Sequence, residues 1–315
     1  MNRLPVEVLW RIASAACTDG GYTGGSLARV SHFIQDATKP FRYHSISLTS
    51  DAQMYTFAEH LEIFHHHRAV PIRHLFFSVK FDYFSSRADA ERKHGGSSPV
   101  DAFSLILRAA SPTVRSLVIY GNAGAFILYH NLKTVFPVLK DLTTYALPKQ
   151  ENAATRFPSL RRLHFIDQGC NGPDPTTFDT LMPTLTHFRI DSQVLSDRFS
   201  LFMYSFLGLL SHDIMMSIQR SGAVSWSAQD TRNAVATAAR LPRLQHIFVQ
   251  PLQWVWLPTS FLKLALASTT EKGARKFHMS LRNADVMWYT SHDAMRDWQA
   301  LVEGGDGPWS IPAAA

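Results

Sequence analysis

A short run of the form L-x-x-L-x-apolar recurs along the chain at nearly fixed spacing, and few folds accommodate such a pattern. Copies fall at residues 114–119, 139–142, 160–165, 185–190 and 244–249, with a looser one at 72–77. The first four begin at Val114, Leu139, Leu160 and Leu185, 21 to 25 residues apart. Four copies follow an apolar-Pro pair (Phe136-Pro137, Phe157-Pro158, Met182-Pro183, Leu241-Pro242), and Ser111-Pro112 holds the same offset before the copy at 114. Proline ends a helix because it lacks the amide N–H and its ring crowds the preceding turn. The alternating run after it reads as a strand. The chain is therefore expected to be α/β, in units of strand and helix that must stack to bury their apolar sides.

Helix starts are equally legible. Ser50-Asp51-Ala52-Gln53, Ser98-Pro99-Val100-Asp101, Ser227-Ala228-Gln229-Asp230 and Thr290-Ser291-His292-Asp293 have capping spacing, in which an N-cap hydroxyl reaches the N3 amide. Asp174-Pro175 opens a short helix that stops before Pro183, and Gly304-Gly305 closes the last one. The spacing and the strand motif resemble leucine-rich repeats, whose period is roughly 20–29 residues. That resemblance implies an irregular solenoid with a parallel curved sheet over residues 49–303. Within it, 82–98 reads as a mobile loop, and 192–240 as a degenerate stretch with one weak repeat near 213–216. Residues 304–315 read as a loose tail.

Between the apolar anchors, Val118, Tyr120, Thr143, Tyr145, His164, Ile166, Arg189, Asp191, Phe248 and Gln250 fall on the opposite side of the sheet. On a repeat protein that side is concave. Its mixture of aromatic, basic and hydrogen-bonding groups suits a protein target, and it equally suits a plain solvated face.

Composition narrows the function classes. The 315 residues are 46% hydrophobic and 18% charged, with a net charge of +6, which is too apolar for a disordered chain. The basic excess is spread out, without the dense stripe that nucleic acid demands, so no nucleic-acid partner is expected. No run reaches the roughly 18 apolar residues of a membrane span, and neither a span nor a signal peptide is expected. Two cysteines, Cys17 and Cys170, fit a reducing compartment, cytoplasmic or nuclear. Nucleophile-elbow, P-loop, zincin and paired-cysteine motifs are missing; no catalytic residue, metal or cofactor is assigned, and the chain is expected not to be an enzyme. His65-His66-His67 would point about 100° apart on a helix and cannot converge on one ion. They read as an exposed helix end. Trp254, Trp256, Trp288, Trp298 and Trp309 crowd the C-terminal part and read as packing of a cap.

Residues 1–48 differ in character. Leu4-Pro5-Val6-Glu7-Val8-Leu9 starts a helix with Val8, Leu9 and Ile12 on a stripe. A flexible loop follows at 19–25. Ser26 then caps a second helix with Leu27, Val30, Phe33 and Ile34 on one side, and Ile46-Ser47-Leu48 reads as a strand. So short a segment cannot be stable alone.

Here the chain resembles the F-box. Leu4-Pro5-x-Glu7-x-Leu9-x-x-Ile12 is similar to the motif's opening, Leu27-Ala28-Arg29-Val30-Ser31-His32-Phe33 to its middle, and residues 41–48 to its close. The nearest resemblance is to F-box-like proteins expanded in mushroom-forming fungi, in which irregular leucine-rich repeats follow the F-box. The Cys17-to-Ser26 stretch is longer than the usual link between the motif's helices, and His32 and Ile34 depart from its common residues. The resemblance implies the substrate receptor of a cullin–RING ubiquitin ligase, monomeric outside that complex. Leu4, Pro5, Val8, Ile12, Leu27 and Val30 would face a Skp-type adaptor, and the repeats would hold a target protein. The competing expectation is a repeat-based scaffold with no ubiquitin role, whose N-terminal helices only cap the array. Burial of Val8, Ile12, Leu27 and Val30 separates the two.

Overall fold

The computed structural model describes residues 4–65, 70–78, 99–121, 134–145, 147, 155–167, 178–192, 243–251, 276–279 and 289–310. The expected mobile loop, Cys170, Trp254, Trp256, Trp288, the helix expected after Ser227, residues 193–240 and the side chains of His65 to His67 lie outside the described residues. The chain divides into two compact units, residues 1–144 with 290–310, and 145–289 with 311–315. No division falls at residue 48, because the strand at 45–48 joins the N-terminal segment to the sheet of the first unit.

In that unit, α1 (Val6–Ala16), α2 (Tyr22–Leu27) and α3 (His32–Thr38) precede β1 (Ser45–Leu48), α4 (Asp51–His65), β2 (His74–Ser78), α5 (Pro99–Ala110), β3 (Ser116–Tyr120) and β4 (Asp141–Thr144). The four strands pair in chain order and all run parallel. Ile46, Leu75, Leu117 and Leu142 share one register row and all are buried, each contributing roughly 1.5–3 kcal/mol. Phe77 meets Phe103 of α5 at 4.7 Å on the same side.

The helix caps follow the sequence closely. The Ser50 hydroxyl accepts from the Gln53 amide at 3.3 Å. Gln53 reaches back to the Thr49 amide at 2.8 Å rather than to that of Ser50. Pro99 stands at the first position of α5.

Five joints between neighbouring strands repeat one device. The carbonyl of His44 accepts from the amides of Arg73 and His74, that of Arg73 from Arg115 and Ser116, and that of Arg115 from Lys140 and Asp141. The second unit repeats it at Arg161 and Thr186. Thr113 and Thr184, each just after a proline, donate to two carbonyls of the preceding segment at 2.8–3.0 Å.

The second unit holds β5 (Arg162–Asp167), α6 (Phe178–Leu181), β6 (His187–Ser192), β7 (His246–Pro251) and β8 (Lys276–Met279), again parallel and in chain order. The strands β6 and β7 pair directly, and the weak repeat expected near 213–216 lies outside the described residues. The strand β8 had no expectation; its Lys-Phe-His-Met run is too short to declare itself.

The last helix, α7 (Ser291–Val302), returns to the first unit. Its capping box is complete: the Thr290 hydroxyl accepts from the Asp293 amide while Asp293 accepts from the Thr290 amide. Trp298 of α7 is fully buried against Phe76 of β2, rings 5.5 Å apart. Phe76 alternates with Leu75 and Phe77, so α7 covers the sheet side away from Phe103. Residues 304–310 are not loose, since a 3-10 turn at Gly307–Trp309 buries Trp309.

Candidate docking face on the N-terminal helices

The helix α1 begins at Pro5 with no side-chain cap and ends where the Cys17 amide meets the Ala13 carbonyl. Within the helix only Ala13 is buried. Small groups make the inward contacts. Ser45, fully buried, donates to the Cys17 carbonyl at 2.9 Å and accepts from the Gly20 amide at 3.1 Å.

The glycine-rich stretch is built rather than flexible, contrary to expectation. Gly20 and Gly21 take φ of +77° and +103°, a region that L side chains rarely adopt. The Asp19 carboxylate accepts from the Thr23 amide and hydroxyl, and α2 follows. A Cβ on Gly24 would lie 2.4 Å from the Arg42 carbonyl oxygen.

The expected single second helix is two. Ser26 and Leu27 end α2, a turn at 28–30 intervenes, and Ser31 caps α3 by accepting from the Ile34 amide at 3.3 Å. Phe33 and Ile34 consequently part, Phe33 exposed and Ile34 buried.

The larger apolar side chains turn outward. Leu4, Val6, Val8, Trp10, Ile12, Val30 and Phe33 are all exposed, Ile12 by 52% and Val30 by 61%. Pro5 is exposed and Leu27 half-buried. At 100° per residue, Val8 and Ile12 share one side of α1. Val6 and Trp10 share another, with the line through Leu9 and Ala13 turned inward between them. Of the six residues expected to face an adaptor, five are therefore exposed. Val6, Trp10 and Phe33 join them, and their signal in the sequence was apolar residues on more of the helix than one buried stripe requires.

The face expected to hold a target is largely internal. Tyr145, His164, Ile166, Asp191 and Phe248 are buried, and only Tyr120, Arg189 and Gln250 are half-buried. In the first unit Val118 and Thr143 are buried too, on the side that α7 covers. In the second unit the structure gathers His164, Arg189, Asp191 and Gln250 into one network. His164 Nε2 lies 3.0 Å from Asp191 Oδ2, Arg189 Nε donates to Asp191 Oδ1 at 3.2 Å, and an Arg189 amino group donates to Gln250 Oε1. Tyr289 lies edge-on to the His164 ring at 4.8 Å. Polar residues sit inside because each finds a partner across neighbouring strands, which alternation alone does not reveal. Beside them, His187 and His246 stack at 4.5 Å and Phe248 and His278 at 4.6 Å.

In the first unit, burial and the neighbouring His44, Arg73 and Arg115 push the His74 pKa down to about 4. Burial, then Asp19, raises the pKa of the Cys17 thiol. Among the described residues no group of three or more His, Cys, Asp or Glu is placed to hold a metal ion, and no helix is long and apolar enough to cross a membrane. No protein-family model, curated protein or solved structure matches the chain.

Proposed function

We propose that the chain is a substrate-recognition receptor of a cullin–RING ubiquitin ligase, docking a Skp-type adaptor through α1 and the α2–α3 turn. One observation carries this reading: Val8, Ile12 and Val30 lie open to solvent instead of being sealed by the chain's own fold. Exposed apolar surface of this kind marks interaction sites, and an apolar helix face suits a groove on a partner. The F-box resemblance of residues 4–12 and 27–33 names the partner. On this reading the chain supplies no acid, base or cofactor; it raises the rate by holding a target near the ubiquitin-transfer enzyme, an effective-concentration effect. The rows through His164 and Asp191 are not assigned to the target.

The test is calorimetric titration of the full chain with a Skp-type adaptor. Wild type binds, and Val8→Asp/Ile12→Asp weakens binding by about 100-fold or more, as loss of central apolar anchors does. Equal binding by the double variant, or no binding by wild type, overturns the reading and leaves a scaffold with a helical cap.

A further inference from the structure

Beneath the glycine turn, between β1 and α4, the first unit leaves a cavity of about 500 Å³ that opens to solvent. That volume falls within the roughly 300–1,000 Å³ of small-molecule sites. Its floor is apolar and aromatic: Ile46 and Leu48 of β1 are buried, and Tyr43 and Phe57 stand with ring centroids 6.0 Å apart. Arg42 and His60 are the basic side chains on its wall, and no carboxylate among the described residues lines it. The Arg42 guanidinium lies 5.4 Å from the Tyr43 ring centroid, so charge and aromatic surface are held side by side.

A second observation concerns Gly25. The neighbouring glycines are explained by positive φ or, at Gly24, by the Arg42 carbonyl against it. Gly25 has neither reason: it lies in a helix, and a Cβ there would meet nothing within 4 Å. Glycine in a helix costs about 1 kcal/mol relative to alanine, and here it keeps open the wall of the cavity it lines.

We propose that this cavity binds a small aromatic carboxylate, its acid group on Arg42 and its ring against Tyr43 and Phe57. A guanidinium pairs with a carboxylate through two parallel hydrogen bonds, and the aromatic floor receives a flat apolar body. This site is separate from the docking face, and its test involves no adaptor.

The experiment titrates the full chain with 3-phenylpropionate, beside the alcohol and the amine of the same phenylpropyl skeleton, by calorimetry and ligand-observed NMR. The acid binds with an affinity of about 1 mM or tighter, the alcohol at least about tenfold more weakly, and the amine not at all. Arg42→Gln brings the acid down to the level of the alcohol. Gly25→Leu fills the open space, abolishes binding of both, and leaves the melting temperature unchanged or higher. Binding that ignores the charge of the probe, or survives both variants, overturns the proposal, as does absence of acid binding up to about 10 mM, a tenth of the expected affinity.

Discussion

Two helices of nearly equal length, α1 and α7, behave in opposite ways. The apolar α1, Val-Glu-Val-Leu-Trp-Arg-Ile-Ala-Ser-Ala-Ala, buries a single alanine. The polar α7, Ser-His-Asp-Ala-Met-Arg-Asp-Trp-Gln-Ala-Leu-Val, buries Ala294 and Trp298 against the sheet and keeps Arg296 outside beside Asp293 and Asp297. One helix is closed by a capping box and the other starts uncapped at Pro5. Hydrophobic content therefore does not decide what this fold covers. The fold buries the Trp298 indole of α7 and leaves a more apolar helix open, its Trp10 included, which is the arrangement expected when the cover for α1 comes from elsewhere.

The largest expected effect is on the covered side of this contrast. Trp298→Ala removes the indole from Phe76 and should cost about 3–5 kcal/mol of unfolding free energy, read from urea denaturation. A loss well below that would mean that α7 rests loosely on the sheet and would weaken the contrast.

Next comes a pH effect that belongs to the sheet rather than to either helix. The folded pKa of His74 is depressed to about 4, so the unfolded chain binds more protons below its ordinary value near 6.5. Stability from this group is complete above pH 6.5 or so and is lost as pH falls toward about 4. Between pH 6.5 and 4.5 the unfolding free energy should drop by about 2–3 kcal/mol, at 1.36 kcal/mol per pH step. His74→Gln should flatten that slope, and an unchanged slope would place the acid sensitivity elsewhere.

The smallest expected effect is on the open side. Val8→Ser/Ile12→Ser should change stability by no more than about 0.5 kcal/mol, because these side chains bury little within the chain. A loss above about 2 kcal/mol would show that α1 is held by its own fold and would favour the cap.

Much of the fold was legible from periodicity and punctuation. The six apolar runs became strands in chain order, and Ser50, Pro99 and Thr290 mark helix starts. What failed did so for physical reasons. Leu75-Phe76-Phe77 and Leu117-Val118-Ile119 are unbroken apolar runs, the mark of strands covered on both sides, and reading them as one-sided left a concave face where α7 lies. His164 and Asp191 look like surface residues until the partner each finds on the neighbouring strand is known. The glycines at 20–25 read as flexibility, whereas Gly24 answers a close approach that only the fold creates. The exposed apolar residues of α1 were legible as a stripe, but their openness was not.

The most direct measurement is amide hydrogen exchange of the full chain, free and with a saturating Skp-type adaptor. Amides of α1 are expected to slow by about tenfold or more in the complex while those of α7 keep their rates. Exchange in α1 that is unchanged by the adaptor would contradict docking through α1.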